Sequence, residues 1–315
     1  MGAAFHDASL LQQMLIGALL GLSVYLPLSC GQLSLATPGF YAIGGTTAAL
    51  LSTRVPALGG GDPTYPLSSV MLEMAVAALV SGLLALGIGK LVLRLRGIYL
   101  AIATIALVEI LRVTTLNQEA LGGAVGIFGI PQPFNNPGGY AAFTLVVLAL
   151  ICWLFARLED NRTGRAMAAI RDDELAAACQ GIDTAQTKLL AFVFSALVAA
   201  ITGVISAHFF NSWNARLGNF DASITTLAFV VFGGSRTWLG PVVGGLLLTA
   251  LPELLRPVGD LRLIVFGLVI LVGPLLAPQG LVTPERLQGL GRSLQGLRRA
   301  PGGGEPTEAL DPGPR

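Results

Sequence analysis

Apolar runs long enough to cross a bilayer follow one another along almost the whole chain, separated by short polar, Gly-rich or Pro-rich breaks. They fall at about 10–29, 33–53, 70–90, 98–116, 140–156, 188–210, 220–235, 241–256 and 262–278. A span needs ~17–25 residues, which the first six runs and the last supply. The runs at 220–235 and 241–256 are shorter and flanked by Gly233-Gly234 and Gly240-Pro241. Such segments are tolerated in lipid only where protein or a cavity satisfies their backbone. These two are therefore either separate short spans or one irregular unit beside a pathway. The pattern predicts an all-α, polytopic integral membrane protein of about nine transmembrane helices, some broken or short.

One polar stretch interrupts the apolar pattern at length, over 158–187. It carries an Ala-rich run, 166–180, with no Gly or Pro, which predicts a helix stopped by Gly181. Ala166, Met167 and Ile170 give this helix an apolar side, and Arg171 to Glu174 a cluster of charge. It reads either as a solvated loop helix or as a docking helix for a cytosolic partner.

Composition agrees with the membrane reading. Of 315 residues 53% are hydrophobic and 12% charged, with a mean hydropathy of +0.72. Soluble domains carry about 25% charged residues, so a soluble chain is excluded. The net charge of +1 offers no basic footprint for nucleic acid. Cys30, Cys152 and Cys179 show neither CxxC nor Cys/His spacing, which argues against a zinc site. Met1 to Leu10 contain no Lys or Arg, so the first run reads as a span rather than a cleavable signal.

Charge sets the expected orientation. With nine spans, fourteen of the 19 Lys and Arg residues fall on one side, among them Lys90, Arg94, Arg96, Arg171 and Lys188. By the positive-inside rule that side is cytoplasmic, with the N-terminus outside and the C-terminus inside. Residues 1–282 form the transmembrane domain, with 158–187 as a cytoplasmic segment, and 283–315 the tail. In the tail Leu287, Leu290, Leu294 and Leu297 alternate with Arg286, Arg292, Arg298 and Arg299, predicting a basic amphipathic helix. Disorder is expected from Pro301 onward.

Catalytic signatures are missing. Gly89-Lys90 is followed by Leu91 and cannot form a phosphate-binding loop, and neither HExxH nor GxSxG occurs. Glu109 with Arg112, and Glu253 with Arg256, stand three apart and read as interfacial pairs holding helix ends or, alternatively, as a gate near the outer surface. Glu73 lies near the start of the third run. His208 is read as snorkelling or hydrogen-bonded at the end of the sixth. Phe40 to Thr46 echoes Phe229 to Ser235, as an inverted repeat would, although composition accounts for it as well.

Five segments in register carry a resemblance: Gly31-Gln32-Leu33-Ser34-Leu35, 93–104, Gly122-Gly123-Ala124-Val125-Gly126-Ile127, 233–241, and Pro278-Gln279-Gly280-Leu281. With 165–181 they resemble the permease subunits of ABC importers for branched-chain amino acids, in particular the M-type member of the pair. Where relatives continue Gly-His-Ala after the first segment, this chain has Ala36-Thr37-Pro38-Gly39. The resemblance implies a permease-type fold and a transport subunit that is no enzyme, working in the bacterial inner membrane. It implies a second permease subunit, two cytosolic ATPases that bind ATP and Mg, no cofactor in this chain, and an extracytoplasmic binding protein. The solute would be a branched-chain amino acid or a related small polar molecule. Gln32, Ser34, Thr37, Gly39, Gly44, Gly45, Thr104, Gly233 and Gly234 would border the path. Arg165, Ala169, Ile170, Arg171, Asp172, Asp173, Glu174 and Gly181 would couple to the ATPases, and the binding protein would dock on 54–69 and 117–139. A stand-alone secondary transporter is the alternative.

Overall fold

In a computed structural model, residues 2–55, 65–276 and 280–282 are described. The tail 283–315, the middle of the loop 54–69 and residues 277–279 lie outside them, with the amphipathic helix and disorder expected of the tail.

Each apolar run of the sequence contains a helix. These are α1 (Gly2–Ser29), α2 (Thr37–Arg54), α3 (Leu67–Val92), α4 (Ile98–Asn117), α5 (Pro137–Asp160), α8 (Thr184–Phe210), α9 (Phe220–Gly233), α10 (Leu239–Leu254) and α11 (Arg262–Leu276). Two short helices, α6 (Arg162–Asp172) and α7 (Glu174–Cys179), occupy the polar stretch. The chain is an all-α, multi-pass membrane protein. Helices α1, α3, α4, α5 and α8 are long and apolar enough to cross a bilayer.

Helix α2 is more polar, and it satisfies four of its hydroxyls within itself. Thr46, Thr47, Ser52 and Thr53 each donate to a carbonyl one turn earlier, at Ala42, Ile43, Ala48 and Ala49. That leaves none of the four orphaned to oppose burial in an apolar setting. The segments 220–235 and 241–256 resolve into an antiparallel hairpin. Gly233 faces the backbone of Gly240 and Gly244, and Gly244 that of Phe229.

Two helices form the centre. Two thirds (67%) of the apolar window of α1 and of α8 is buried, against 28% in α3 and α4, which present broad apolar faces outward. Small residues set the spacing around α8. Gly44 of α2 touches the Ala200 backbone, and Gly203 returns the contact to Tyr41 and Gly45. Close backbone approach of this kind is how membrane helices gain packing without a hydrophobic drive. One core runs from Phe40 and Tyr41 through Phe192 to Trp213, another from Leu19 and Tyr25 to Phe155 and Met167.

Across one end lies the connection 118–136, whose β1 (Ile127–Phe128) pairs antiparallel with β2 (Ser212–Trp213). The ion pairs expected along α4 and beyond α10 are present, Glu109–Arg112 at 2.6 Å and Glu253–Arg256 at 2.9 Å.

The single helix expected over 166–180 is two helices. Asp173 is extended (φ −155°, ψ 110°), and its carboxylate accepts from the Leu175 and Ala176 N–H groups. An Asp at the start of a helix gains more by capping than by continuing the previous turn. The stop at Gly181 (φ 82°) is as expected.

Candidate functional site

The connection between α1 and α2 is the first part of the site. Pro27 lies inside α1, and the N–H groups of Cys30 and Gln32 both reach its carbonyl. Gly31 then turns the chain at φ 70°. Gln32, Ser34, Thr37 and Thr104 are all buried. The Leu35 N–H donates to Thr104 Oγ1 at 3.0 Å, which ties α4 to the break. Thr37 Oγ1 lies 3.5 Å from Ser195 Oγ of α8, a residue the motifs do not point to. Gly39 faces Val108 and Leu111. Both amide atoms of the Gln32 side chain lack a partner among the described residues, although the residue is only 3% exposed. An unpaired buried amide costs about 1–3 kcal/mol.

The other residues expected to border the path lie elsewhere. Gly44 and Gly45 pack against Ala200 and the Trp213 ring, while Gly233 and Gly234 form the α9–α10 turn, where Gly280 packs on Gly234. Five of the nine, Gln32, Ser34, Thr37, Gly39 and Thr104, thus share one junction, and the four others are helix-packing positions.

The α6–α7 segment sits over this junction. Met167 and Ile170 are buried, as their spacing demands, while Ala169 is partly covered. Arg171 passes between the two helix breaks. A Cβ on Gly31 would lie 3.3 Å from the Arg171 Cα, and Arg171 Nη1 donates to the Ser235 carbonyl at 3.4 Å. Beneath it lies a cavity of about 200 Å³ whose lining includes Tyr25, Glu159, Arg165, Arg171 and Arg236. Arg165 donates to the Asp160 carbonyl at 2.7 Å.

Two members of the charge cluster, Asp173 and Glu174, have partners within the chain. Asp173 caps α7. Glu174 pairs with Lys188 at 2.7 Å and with Arg96 at 3.8 Å. Asp172, by contrast, has a side chain 80% exposed, and Leu175 is 69% exposed beside it, with Ala176 and Cys179 also exposed. Leu175 thus presents an exposed apolar surface on a short helix, uncovered by any described residue.

Two carboxylates, the buried Glu73 and the part-buried Glu159, hold the frame in ways that sequence reading missed. Glu159 accepts from Tyr25 Oη at 2.5 Å and from the Trp238 N–H at 2.9 Å, joining α1, α5 and the α9–α10 turn. Glu73 meets His208 between α3 and α8 and accepts from Tyr65 Oη. Neither pairing between helices has a local signature, because Trp238 and Tyr25 lie 79 and 134 positions from Glu159 and His208 lies 135 from Glu73. Cys30, next to the first break, is buried, and burial pushes its thiol up to about 12.

Comparisons with known proteins agree with this architecture. The family model described as branched-chain amino acid transport system / permease component matches residues 8–273. The chain is 32% identical to the high-affinity branched-chain amino acid transport system permease protein LivM of Salmonella typhimurium, over 85% of this chain and 68% of that one. It is 34% identical to the LivH permease of the same organism over 33% of this chain and 32% of that one. The fructose import permease FruG of Bifidobacterium longum is 24% identical over 81% of this chain and 77% of its own. No solved structure matches. The transmembrane helices, the broken connections and the matched range together make this chain a member of the family of permease components of branched-chain amino acid transport systems.

Proposed function

We propose that this chain is one half of a permease pair in an ATP-driven importer of branched-chain amino acids or related small polar solutes. In this reading nine helices span the inner membrane, with the N-terminus outside. Residues 165–181 lie in the cytoplasm against an ATPase, which holds ATP and Mg while this chain holds neither. A binding protein delivers the solute on the outer side, and the buried polar junction of Gln32, Ser34, Thr37 and Thr104 borders the route.

The observation that supports this reading best is the position of Arg171. It belongs to the polar segment, yet it contacts Gly31 at one helix break and Ser235 at the other. A push on the exposed face of α7 would reach both breaks through a single residue, its backbone at Gly31 and its side chain at Ser235. Broken helices are where such a push can change access, since their backbone is not locked into a continuous ladder.

The test is a double variant, Asp172→Arg with Leu175→Asp, which alters the exposed face and spares the Glu174–Lys188 pair. The expected result is normal membrane insertion, loss of ATPase co-purification and loss of solute uptake. Retained co-purification with normal uptake would remove the coupling role from this segment. Uptake by the purified chain alone would support a stand-alone carrier instead.

A further inference from the structure

Between the inner ends of α3 and α8 lies a cleft of about 450 Å³, most of whose cations have no part in the transport reading. Its walls carry Lys90, Arg94, Arg96 and Lys188 and a single carboxylate, Glu174. Glu174 is already committed to Lys188 and Arg96. Lys90 and Arg94 have no carboxylate partner among the described residues. The cleft therefore keeps an excess of positive charge, while the α8 N-terminus beside it is already capped by the Asp183 carboxylate, which accepts from the Gln186 N–H.

What distinguishes this cleft from an ordinary basic loop is the surface above it. Leu79, Leu83, Leu86 and Lys90 recur along α3 at steps of four, three and four, so they share one face of the helix. The three leucines are exposed, Leu79 and Leu83 by more than 60%, on a helix apolar enough to cross the bilayer. An apolar column long enough for an acyl chain thus ends at a lysine that has no carboxylate partner among the described residues, inside a cationic cleft. A soluble partner would meet the cations but not the column. We infer that this cleft binds the headgroup phosphate of an anionic phospholipid, whose acyl chain lies along Leu79, Leu83 and Leu86. Basic pockets between transmembrane helices recognise anionic headgroups in this way.

The experiment uses the full chain purified in detergent and offered equal amounts of phosphatidylglycerol and phosphatidylcholine, with retained lipid counted by native mass spectrometry. Phosphatidylglycerol should be retained in preference. Lys90→Gln with Arg94→Gln should lower that preference about thirty-fold, the expectation for removing two cations near a headgroup. Arg157→Gln with Arg162→Gln removes the same charge outside the cleft and should leave the preference unchanged. Equal loss in both pairs would reduce the effect to general surface charge and overturn the site. Displacement by inorganic phosphate as effectively as by the lipid would assign the cleft to a soluble anion and also overturn it. So would unchanged lipid retention together with loss of ATPase co-purification in the cleft variant, which would make the surface a protein contact.

Discussion

Glu73 Oε2 and His208 Nε2 lie 2.5 Å apart, with the two side chains 0% and 1% exposed. The other ring nitrogen, Nδ1, is 2.8 Å from the Pro131 carbonyl, and Tyr65 donates to the second Glu73 oxygen. The pair thus ties α3 and α8 to both long connections at that end of the molecule. Removing one partner from a buried pair leaves the other uncompensated, at a cost of about 3–5 kcal/mol. Glu73→Ala is expected to lower the thermal unfolding midpoint of the detergent-solubilised protein, and His208→Ala by a similar amount. The double variant should lose less than the sum, because it strands neither group. Independent, additive losses would show that the two do not act as a unit.

Thiol labelling separates Cys30 from Cys179. Cys30 is buried with its thiol raised to about 12, so it stays protonated and unreactive across neutral and mildly alkaline pH. Cys179 is exposed at the end of α7. A membrane-impermeant maleimide should label Cys179 in inside-out vesicles and not in right-side-out ones, and Cys179→Ser should remove that signal. Bound ATPase should protect it. Labelling from the outer side would overturn the proposed orientation.

Glycine substitutions should divide by contact rather than by motif. A Cβ on Gly44 would run into the Ala200 backbone, whereas one on Gly87 meets nothing within 4 Å. Gly87→Ala replaces the weaker helix former in the middle of α3 and is expected to be neutral or to stabilise by up to ~1 kcal/mol. Gly44→Ala must separate α2 from α8, and yield and thermal stability should both fall. Equal tolerance at the two positions would mean that the α2–α8 approach is not limiting.

Arg171→Lys offers a finer test of the proposed coupling. Lysine keeps the charge but not the planar fork, so the reach to the Ser235 carbonyl changes. ATPase co-purification should persist while uptake falls several-fold. Parallel loss of both would make Arg171 a docking residue rather than a link between the helix breaks.

Periodicity and composition by themselves determined the class, the helical segments and the end of the polar stretch at Gly181. Those properties are local: bilayer thickness sets the length of an apolar run, and a glycine at positive φ stops a helix wherever it lies. The α9–α10 hairpin stayed ambiguous because length alone cannot tell a short helix from half of a broken one. It was decided by Gly233, Gly240 and Gly244, which let the two backbones touch. The charge cluster was visible at Arg171 to Glu174, but which of its members are free depended on Lys188 and Arg96, brought in from α8 and the α3–α4 connection. Likewise Glu73 and His208 could be read only as isolated polar residues, 135 positions apart. A buried charge is tolerable when a partner reaches it, and that partner is supplied by packing of distant helices, which no spacing within one helix encodes.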